Sequence, residues 1–241
     1  MSENNEVLEQ LYNRKSVRVF EDKQISNNVK EALVNAAIQA PTAGNMALYT
    51  IIDVTDDKIK KELSILCDNQ PFIAKAPVVF IFVADYSKWY KTFLVNNLAP
   101  RELGTGDLML AASDAIIAAQ NTVVAAQSLG LGSCYIGDII ENYERVKELL
   151  HLPECTLPVT MLVYGYPTKQ QIERKKPARI EVRHILHENS YRDMDREELN
   201  EMYEERSGRE SLEDFFRRKF MSEFCKEMNR SVGEYMKDFI G

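Results

Sequence analysis

The sequence has few cysteines and histidines, and none of them stands in a recognised metal-binding or redox motif. The four cysteines lie far apart in the chain, at Cys67, Cys134, Cys155 and Cys225. The absence of a Cys-x-x-Cys pair argues against a zinc site or a thioredoxin-like site, and we predict free thiols in a reducing compartment. His184 and His187 are three residues apart beside Glu188, without a His-Glu-x-x-His pattern. A structural or surface role is favoured for both histidines, and we predict no metal.

Motifs for nucleotide binding and for acyl transfer are also missing. Gly130 and Gly132 begin a Gly-x-Gly pattern, but Tyr135 stands where a dinucleotide fold needs its third glycine. The chain contains neither G-x-x-x-x-G-K-[ST] nor G-x-S-x-G. Ser16 has basic neighbours but no nearby histidine base, so it is not favoured as a nucleophile. Since no pair of side chains would carry a reaction unaided, we expect a cofactor to supply the chemistry.

The charge and hydropathy of the chain limit its possible cellular location and its possible classes of binding partner. The chain has 241 residues and a formal net charge of −7, which disfavours bulk attraction to nucleic acid or to an anionic membrane. The first ten residues are polar and acidic, unlike a secretory signal. The longest weakly charged stretch, Leu108–Cys134, carries Asp114 and several amides, and we predict that no run is long enough to span a membrane. These features indicate a soluble cytoplasmic protein.

Helical and extended patterns alternate along the chain. The strands are predicted over residues 46–54, 78–84, 133–137 and 159–166, and the helices over 5–15, 26–39, 56–66, 108–129 and 143–150, with a charged helix from residue 196. Ser26 is the expected N-cap of the second helix, and Pro41 follows its end. The apolar run Val78–Ala84 is typical of a strand covered on both faces. This order indicates an α+β or α/β fold with helices on both faces of a sheet.

Three segments could together form an anion site. The first is Arg14-Lys15-Ser16-Val17-Arg18, the second is Gly130–Gly137, and the third is Lys175–Arg179. Arginine pairs bidentately with phosphate, so the two basic segments could hold a doubly charged phosphate. Taken alone, the first segment is more typical of a solvated surface patch. The two glycines of the second segment fit a helix stop and tight turn as well as a loop that approaches a flat ring.

In this order and spacing, the motifs resemble the nitroreductase family of FMN-dependent oxidoreductases. The resemblance covers residues 10–195 and is greatest to the branch of NADPH-dependent nitroreductases and flavin reductases. It rests on Arg14–Phe20, the Ala40–Asn45 loop, Asn69-Gln70 before a strand, Ala118–Asn121 leading to Gly130–Gly137, Gly165-Tyr166-Pro167, Lys176-Pro177-Ala178-Arg179 and His187–Tyr191. The implied fold is α+β, a three-layer α-β-α sandwich with a mostly antiparallel sheet and a long buried central helix. Residues 1–195 would form the FMN-binding domain, and residues 196–241 a C-terminal helical extension of it.

The resemblance also implies where FMN binds. Arg14, Lys15, Ser16 and Arg18 would hold its phosphate and ribityl chain, and Gln70 the polar edge of its isoalloxazine ring. Tyr135, Ile136 and Gly137 would lie along the ring, and Lys176 and Arg179 would return to the phosphate or to the N1 side. The loop residues Thr42, Ala43, Gly44 and Asn45 would meet the flavin of the partner subunit in a homodimer. In this branch a basic loop could bind the NADPH phosphate, and Arg206-Ser207-Gly208-Arg209 has a weak similarity to that loop.

The implied activity is electron transfer from NADPH or NADH through bound FMN to a nitroaromatic, quinone or flavin acceptor, in a ping-pong cycle. No protein side chain is expected to be catalytic, because the flavin reacts and the protein positions it. Two alternatives stay open. One is another reaction on the same scaffold, such as reductive dehalogenation or flavin destruction for cofactor synthesis. The other is a non-catalytic FMN-binding or helical interaction protein that works through its C-terminal extension.

Overall fold

The computed structural model describes residues 5–207 and 210–240, which belong to two compact units. The first unit comprises Met1–Arg174 and Glu227–Gly241, and the second comprises Lys175–Lys226. The chain therefore leaves the first unit once and returns to it within its last helix. The domain boundary that we expect at residue 195 stays a prediction.

The first unit is built on a four-stranded sheet in the order β1-β2-β4-β3. Its strands are β1 (Tyr49–Asp53), β2 (Val78–Asp85), β3 (Gly132–Ile136) and β4 (Thr156–Gly165). All three neighbouring pairs are antiparallel, which confirms the expected α+β class and its mostly antiparallel sheet. Because β3 forms one edge, its free side remains open to another segment of the chain.

The helices of the first unit pack on both faces of this sheet. They are α1 (Glu6–Asn13), α2 (Asn27–Ile38), α3 (Asp57–Leu66), α4 (Pro71–Lys75), α5 (Ser87–Val95), α6 (Thr105–Ser128), α7 (Tyr143–Leu149) and α8 (Lys169–Glu173). The Ser26 hydroxyl accepts a hydrogen bond from Val29 N, so the predicted N-cap of α2 is confirmed. The sequence reading missed α4, α5 and α8. Two of these have five residues, too few for a helical period to show.

Strand β2 explains why the core has two layers. Val79, Ile81 and Val83 belong to one cluster, with side chains of α3, α4 and α7. The alternate residues Phe80 and Phe82 belong to the other, with side chains of α2 and α6. Successive side chains of a strand point to opposite faces, so alternate residues of this apolar run pack into the two different clusters. The prediction of a strand covered on both faces is confirmed.

Helix α6 is the long central helix, and its buried side is rich in alanine. Ala111, Ala115, Ala118 and Ala119 are fully buried. By length and composition, α6 also passes as a membrane span, so the expectation that no run is long enough was wrong. The core helix of a soluble protein meets the same criterion, and the buried, hydrogen-bonded Asp114 within α6 fits that role. Gly130 follows the helix with a φ of 74°, as expected for a C-terminal glycine.

The last helix, α11 (Glu223–Ile240), ends inside the first unit. Its Tyr235 and Phe239 are buried in the cluster that includes α3 and α7. The Ser231 hydroxyl donates to Ile140 O at 2.5 Å and accepts from Tyr143 N at 3.0 Å. The end of the predicted C-terminal extension is therefore part of the main core.

The second unit contains α9 (Arg196–Ser207), α10 (Leu212–Lys219) and the start of α11. Arg183 bonds to Glu201 at 2.7 Å and to Glu205 at 2.9 Å, both on α9. His184 Nε2 lies 3.1 Å from Glu205. These contacts attach a short 3₁₀ turn, Val182–His184, to α9 and give His184 the structural role favoured from sequence.

Candidate flavin site

The segment Arg14–Arg18 lies along the open edge of β3. Ser16 forms a parallel bridge with Ser133, and Val17 N donates to Ser133 O at 2.9 Å. The approach requires a glycine at position 132, because a Cβ there would lie 2.6 Å from Val17 Cγ2. Two of the three segments singled out in the sequence are thus in direct contact.

Arg14 lies over the side chain of Tyr135 in β3. Its Cζ is 5.9 Å from the ring centroid. The Arg14 Nε is buried and has no hydrogen-bond partner among the residues that the structure describes. Burial raises the pKa of Tyr135 to about 12, against the opposing charge of Arg14. An unsatisfied buried donor is costly, so this guanidinium is suited to an anionic ligand that supplies the missing acceptor.

Arg18 is exposed, and its Cζ lies 5.9 Å from the ring of Phe72 in α4. Gln70 is the N-cap residue of the same helix. The Cys134 thiol of β3 is near the same cations. Its pKa is raised by burial, while the charges of Arg18 and Arg14 oppose the rise. A positive field therefore covers this edge of β3.

Gln70 connects α4 to the turn that follows β3. Its Nε2 donates to Cys67 O and to Asp138 Oδ2, at 2.9 Å in each case. Asp138 directly follows Gly137, which ends the predicted ring-binding stretch. Arg14 and Arg18 thus contact Tyr135 and Phe72, while Gln70 bonds to the turn after β3. The role of these residues in binding a cofactor stays a prediction.

Lys15 and Arg174 join the same region to α8. The Lys15 ammonium donates to Ile172 O at 2.6 Å and to Arg174 O. Arg174 Nη2 donates to Ser16 O at 2.6 Å, while its buried Nε has no partner in residues 5–207 and 210–240. Lys15 thus caps the end of α8 in this structure, and Arg174 adds a second buried donor. Arg174 was not predicted from the sequence as a site residue, although Arg174 directly precedes Lys175 at the start of the basic segment.

Asp114 of α6 holds the loop Thr42–Asn45. Its carboxylate accepts from Ala43 N at 2.9 Å and from Leu48 N at 3.0 Å. Gly44 and Asn45 both have a φ of 57°, a left-handed conformation that glycine and asparagine adopt most readily. The residue types of this loop therefore fit its backbone. The role of Asp114 was not anticipated, because one aspartate in a helical pattern carries no signal of the loop it binds.

The remaining predicted site residues belong to the second unit. Lys176 and Arg179 lie there, and Arg179 Nη1 donates to Ala178 O at 3.5 Å. Arg206 Cζ lies 4.2 Å from the ring of Phe215. Gly208 and Arg209 lie outside the described residues. The contribution of these residues to cofactor binding stays a prediction.

Glu141, in the turn after Asp138, is a buried acid among other acids. It is 6% exposed. Burial, together with the charges of Asp138, Asp68 and Glu227, raises its pKa to about 7. The carboxyl group is therefore protonated in the folded protein at mildly acidic pH.

This raised pKa predicts a dependence of stability on pH. The pKa of a glutamate in an unfolded chain is about 4.3. Between that pH and about 7, the folded state therefore binds one more proton than the unfolded state. The free energy of unfolding should decrease as pH rises through this interval. Urea unfolding at pH 5 and pH 7.5 should show the decrease, and Glu141→Gln should reduce it. An equal slope in the variant would contradict the assignment.

The donor set fits a phosphate-bearing aromatic cofactor. Arg14 and Arg174 each bury an Nε without an acceptor, and phosphate oxygens supply strong acceptors. Gln70 provides an amide, and β3 provides the backbone edge beside it. No protein acid–base pair among these residues would carry a reaction alone. The arrangement is suited to holding a cofactor that reacts.

Comparison with known proteins agrees with this fold. The Nitroreductase family matches residues 11–166. An FMN reductase (NADPH) of Bacillus subtilis is 32% identical over 189 residues, which is 78% of this chain and 75% of the relative. The NfrA1 nitroreductase of B. subtilis has a TM-score of 0.76 at 30% identity, covering 96% of this chain and 92% of its own. NfrA2 of B. megaterium has a TM-score of 0.84 at 28% identity, covering 96% and 97%.

This chain has a nitroreductase-like fold, as its similarity to the NfrA1 and NfrA2 structures shows. The chain belongs to the nitroreductase family, as the sequence motifs indicated. It is an enzyme of the oxidoreductase class.

Proposed function

We propose that this protein is an FMN-dependent oxidoreductase that takes electrons from NADPH or NADH and passes them to nitroaromatic, quinone or flavin acceptors. The observation that carries the proposal is the grouping of Arg14, Arg18 and Gln70 at the edge of β3, with the buried Arg14 Nε lacking an acceptor. The name of the FMN reductase (NADPH) relative supports the choice of cofactor and reductant. A ping-pong cycle follows if both substrates use one open site.

The protein's own residues bind and orient the cofactor. Arg14, Arg18 and Arg174 provide guanidinium groups for the phosphate, and Ser16, between Arg14 and Arg18 in the chain, provides a hydroxyl. Gln70 provides its amide to the polar edge of the ring, beside Gly137. When bound, FMN supplies the capacity to accept a hydride and to pass electrons on.

A homodimer is part of the proposal, and α6 carries its surface. Met109, Leu110, Ile116 and Ile117 are between 39% and 65% exposed although they are large and apolar. They flank Asp114, which holds the loop Thr42–Asn45. Exposed apolar patches of this kind mark association surfaces. A partner packed on α6 would bring the loop toward the partner's cofactor.

We also propose a cytoplasmic location, which suits an enzyme that uses a soluble nicotinamide.

The dimer is tested by placing a charge within the exposed face of α6. Ile116→Glu should shift the protein toward the monomer in light scattering, because the charge would be buried at the interface. Val95→Glu is a matched control, since Val95 is 78% exposed on α5. A monomeric wild-type holoprotein, or a dimeric Ile116→Glu variant, would contradict the proposal.

The activity is tested by anaerobic reduction of the purified protein. The preparation should be yellow, and NADPH or NADH should bleach the flavin absorbance. After excess nicotinamide is removed, nitroaromatic, quinone and free flavin acceptors should be added separately. Restoration of the flavin absorbance identifies an acceptor. A colourless protein that does not take up FMN would exclude the proposal. Bound flavin that neither nicotinamide bleaches would instead favour a non-catalytic FMN-binding protein.

A further inference from the structure

Both N–H groups of the Gln70 amide are used within the protein. Nε2 donates to Cys67 O and to Asp138 Oδ2, at 2.9 Å each. A backbone carbonyl and a carboxylate can only accept hydrogen bonds, so the chemistry fixes which end of the amide faces them. A primary amide has two N–H donors and one carbonyl acceptor. Gln70 therefore has only its Oε1 to offer to a ligand.

The Gln70 Oε1 accepts no hydrogen bond from the residues that the structure describes. A ligand that meets Gln70 must then provide a donor. The pyrimidine edge of an isoalloxazine ring has one N–H group, at N3, between two carbonyl oxygens. An acceptor at Gln70 matches N3–H and disfavours the two carbonyls on either side.

Asp138 is the group that determines this orientation most strongly. Cys67 O is a neutral acceptor, whereas Asp138 provides a carboxylate, and charge-assisted hydrogen bonds are roughly twice as strong as neutral ones. Asp138 begins a 3₁₀ turn, Asp138–Ile140, directly after Gly137. Its position is thus set by the same strand end that is predicted to contact the ring.

We propose that Asp138 is a positioning residue that holds the Gln70 amide with Oε1 toward the cofactor, so that the site selects flavins with a hydrogen on N3. The proposal rests on the proposed function, because it takes FMN to be the ligand. Asp138 itself is not a catalytic residue. It acts on the cofactor through Gln70.

The test compares binding of FMN and of 3-methyl-FMN, which lacks the N3 hydrogen, to the full-length apoprotein. Quenching of flavin fluorescence gives both dissociation constants. The wild-type protein should bind FMN about tenfold or more tightly than 3-methyl-FMN, as expected for one hydrogen bond. Asp138→Asn should reduce this ratio to about threefold or less, because asparagine can donate as well as accept and no longer fixes the amide.

Two further variants separate orientation from charge and from folding. Asp68→Asn removes one negative charge from the turn after α3, and Asp68 is exposed with a φ of 61° that asparagine tolerates. It should keep the wild-type ratio. Gln70→Leu removes the amide and should lower the ratio, and adding Asp138→Asn to it should cause no further change.

The outcomes separate this inference from the proposed function. If the wild-type protein binds FMN but does not distinguish the two flavins, the positioning role is wrong and the FMN site stands. An Asp138→Asn variant with the wild-type ratio, or an Asp68→Asn variant that loses it, also overturns the role. If the wild-type apoprotein binds neither flavin, the proposed function fails together with the inference.

Discussion

Replacing Arg14 by alanine is expected to weaken FMN binding by about 100-fold, which corresponds to about 3 kcal/mol. The Arg14 guanidinium lies over Tyr135, and its buried Nε has no acceptor in the described part of the chain. The cofactor phosphate would complete that group with charge-assisted hydrogen bonds. Isothermal titration of the apoprotein with FMN measures the loss. Arg18→Ala should act in the same direction and lose flavin during dialysis.

Matched controls test whether the guanidinium itself is responsible. Arg14→Lys keeps the charge without the planar fork, so it should fall between the wild type and Arg14→Ala. Arg145→Ala removes an exposed arginine that pairs with Glu62, and it should leave the FMN affinity unchanged. Full flavin retention in both Arg14→Ala and Arg18→Ala would disprove the phosphate assignment.

Replacing Gly132 by alanine is expected to destabilise the protein by about 3 kcal/mol and to reduce FMN binding, as overpacked sites do. The added Cβ would lie 2.6 to 2.8 Å from three side-chain atoms of Val17. Val17 is held to β3 by its backbone hydrogen bond to Ser133, so relief requires the two segments to separate. That movement would carry Arg14 and Arg18 away from β3. Chemical unfolding and FMN titration measure the two effects.

A second glycine and a compensating change provide the controls. Gly106→Ala in the first turn of α6 adds a Cβ that meets nothing within 4 Å, and alanine should leave the stability equal or slightly higher. Val17→Gly combined with Gly132→Ala removes the colliding side chain and should restore part of the FMN affinity. A Gly132→Ala variant as stable as the wild type would contradict the close packing of the two segments.

Where local physics dominates, the sequence was sufficient to predict the fold. The Ser26 cap fixes the start of α2 through one side chain, and the apolar run of β2 shows in the chain because both faces of that strand are covered. Helix α4 could not be predicted in the same way. The five residues that begin with Pro71, directly after Gln70, carry no periodicity. Only packing against the rest of the unit identifies them as a helix.

The candidate site divides in the same way. The residue types of Arg14, Arg18 and Gln70 were recognisable because guanidinium and amide groups have a limited chemistry. The sequence did not show which of these cations is available to bind a ligand. Lys15 looked equivalent to its neighbours, yet its ammonium bonds to two carbonyls at the end of α8. Arg174, which is 159 residues further along the chain than Lys15, contributes a buried donor.

The sequence by itself determined the helix caps, the two-sided strand, the basic segments and the family, because each depends on residues close together in the chain or on their order. The tertiary structure decided which donors lack acceptors, that Asp114 holds the loop Thr42–Asn45, and that Asp138 orients Gln70. These contacts join residues about 70 positions apart. Local propensities carry no information on such contacts, because they form only when the sheet brings distant segments together.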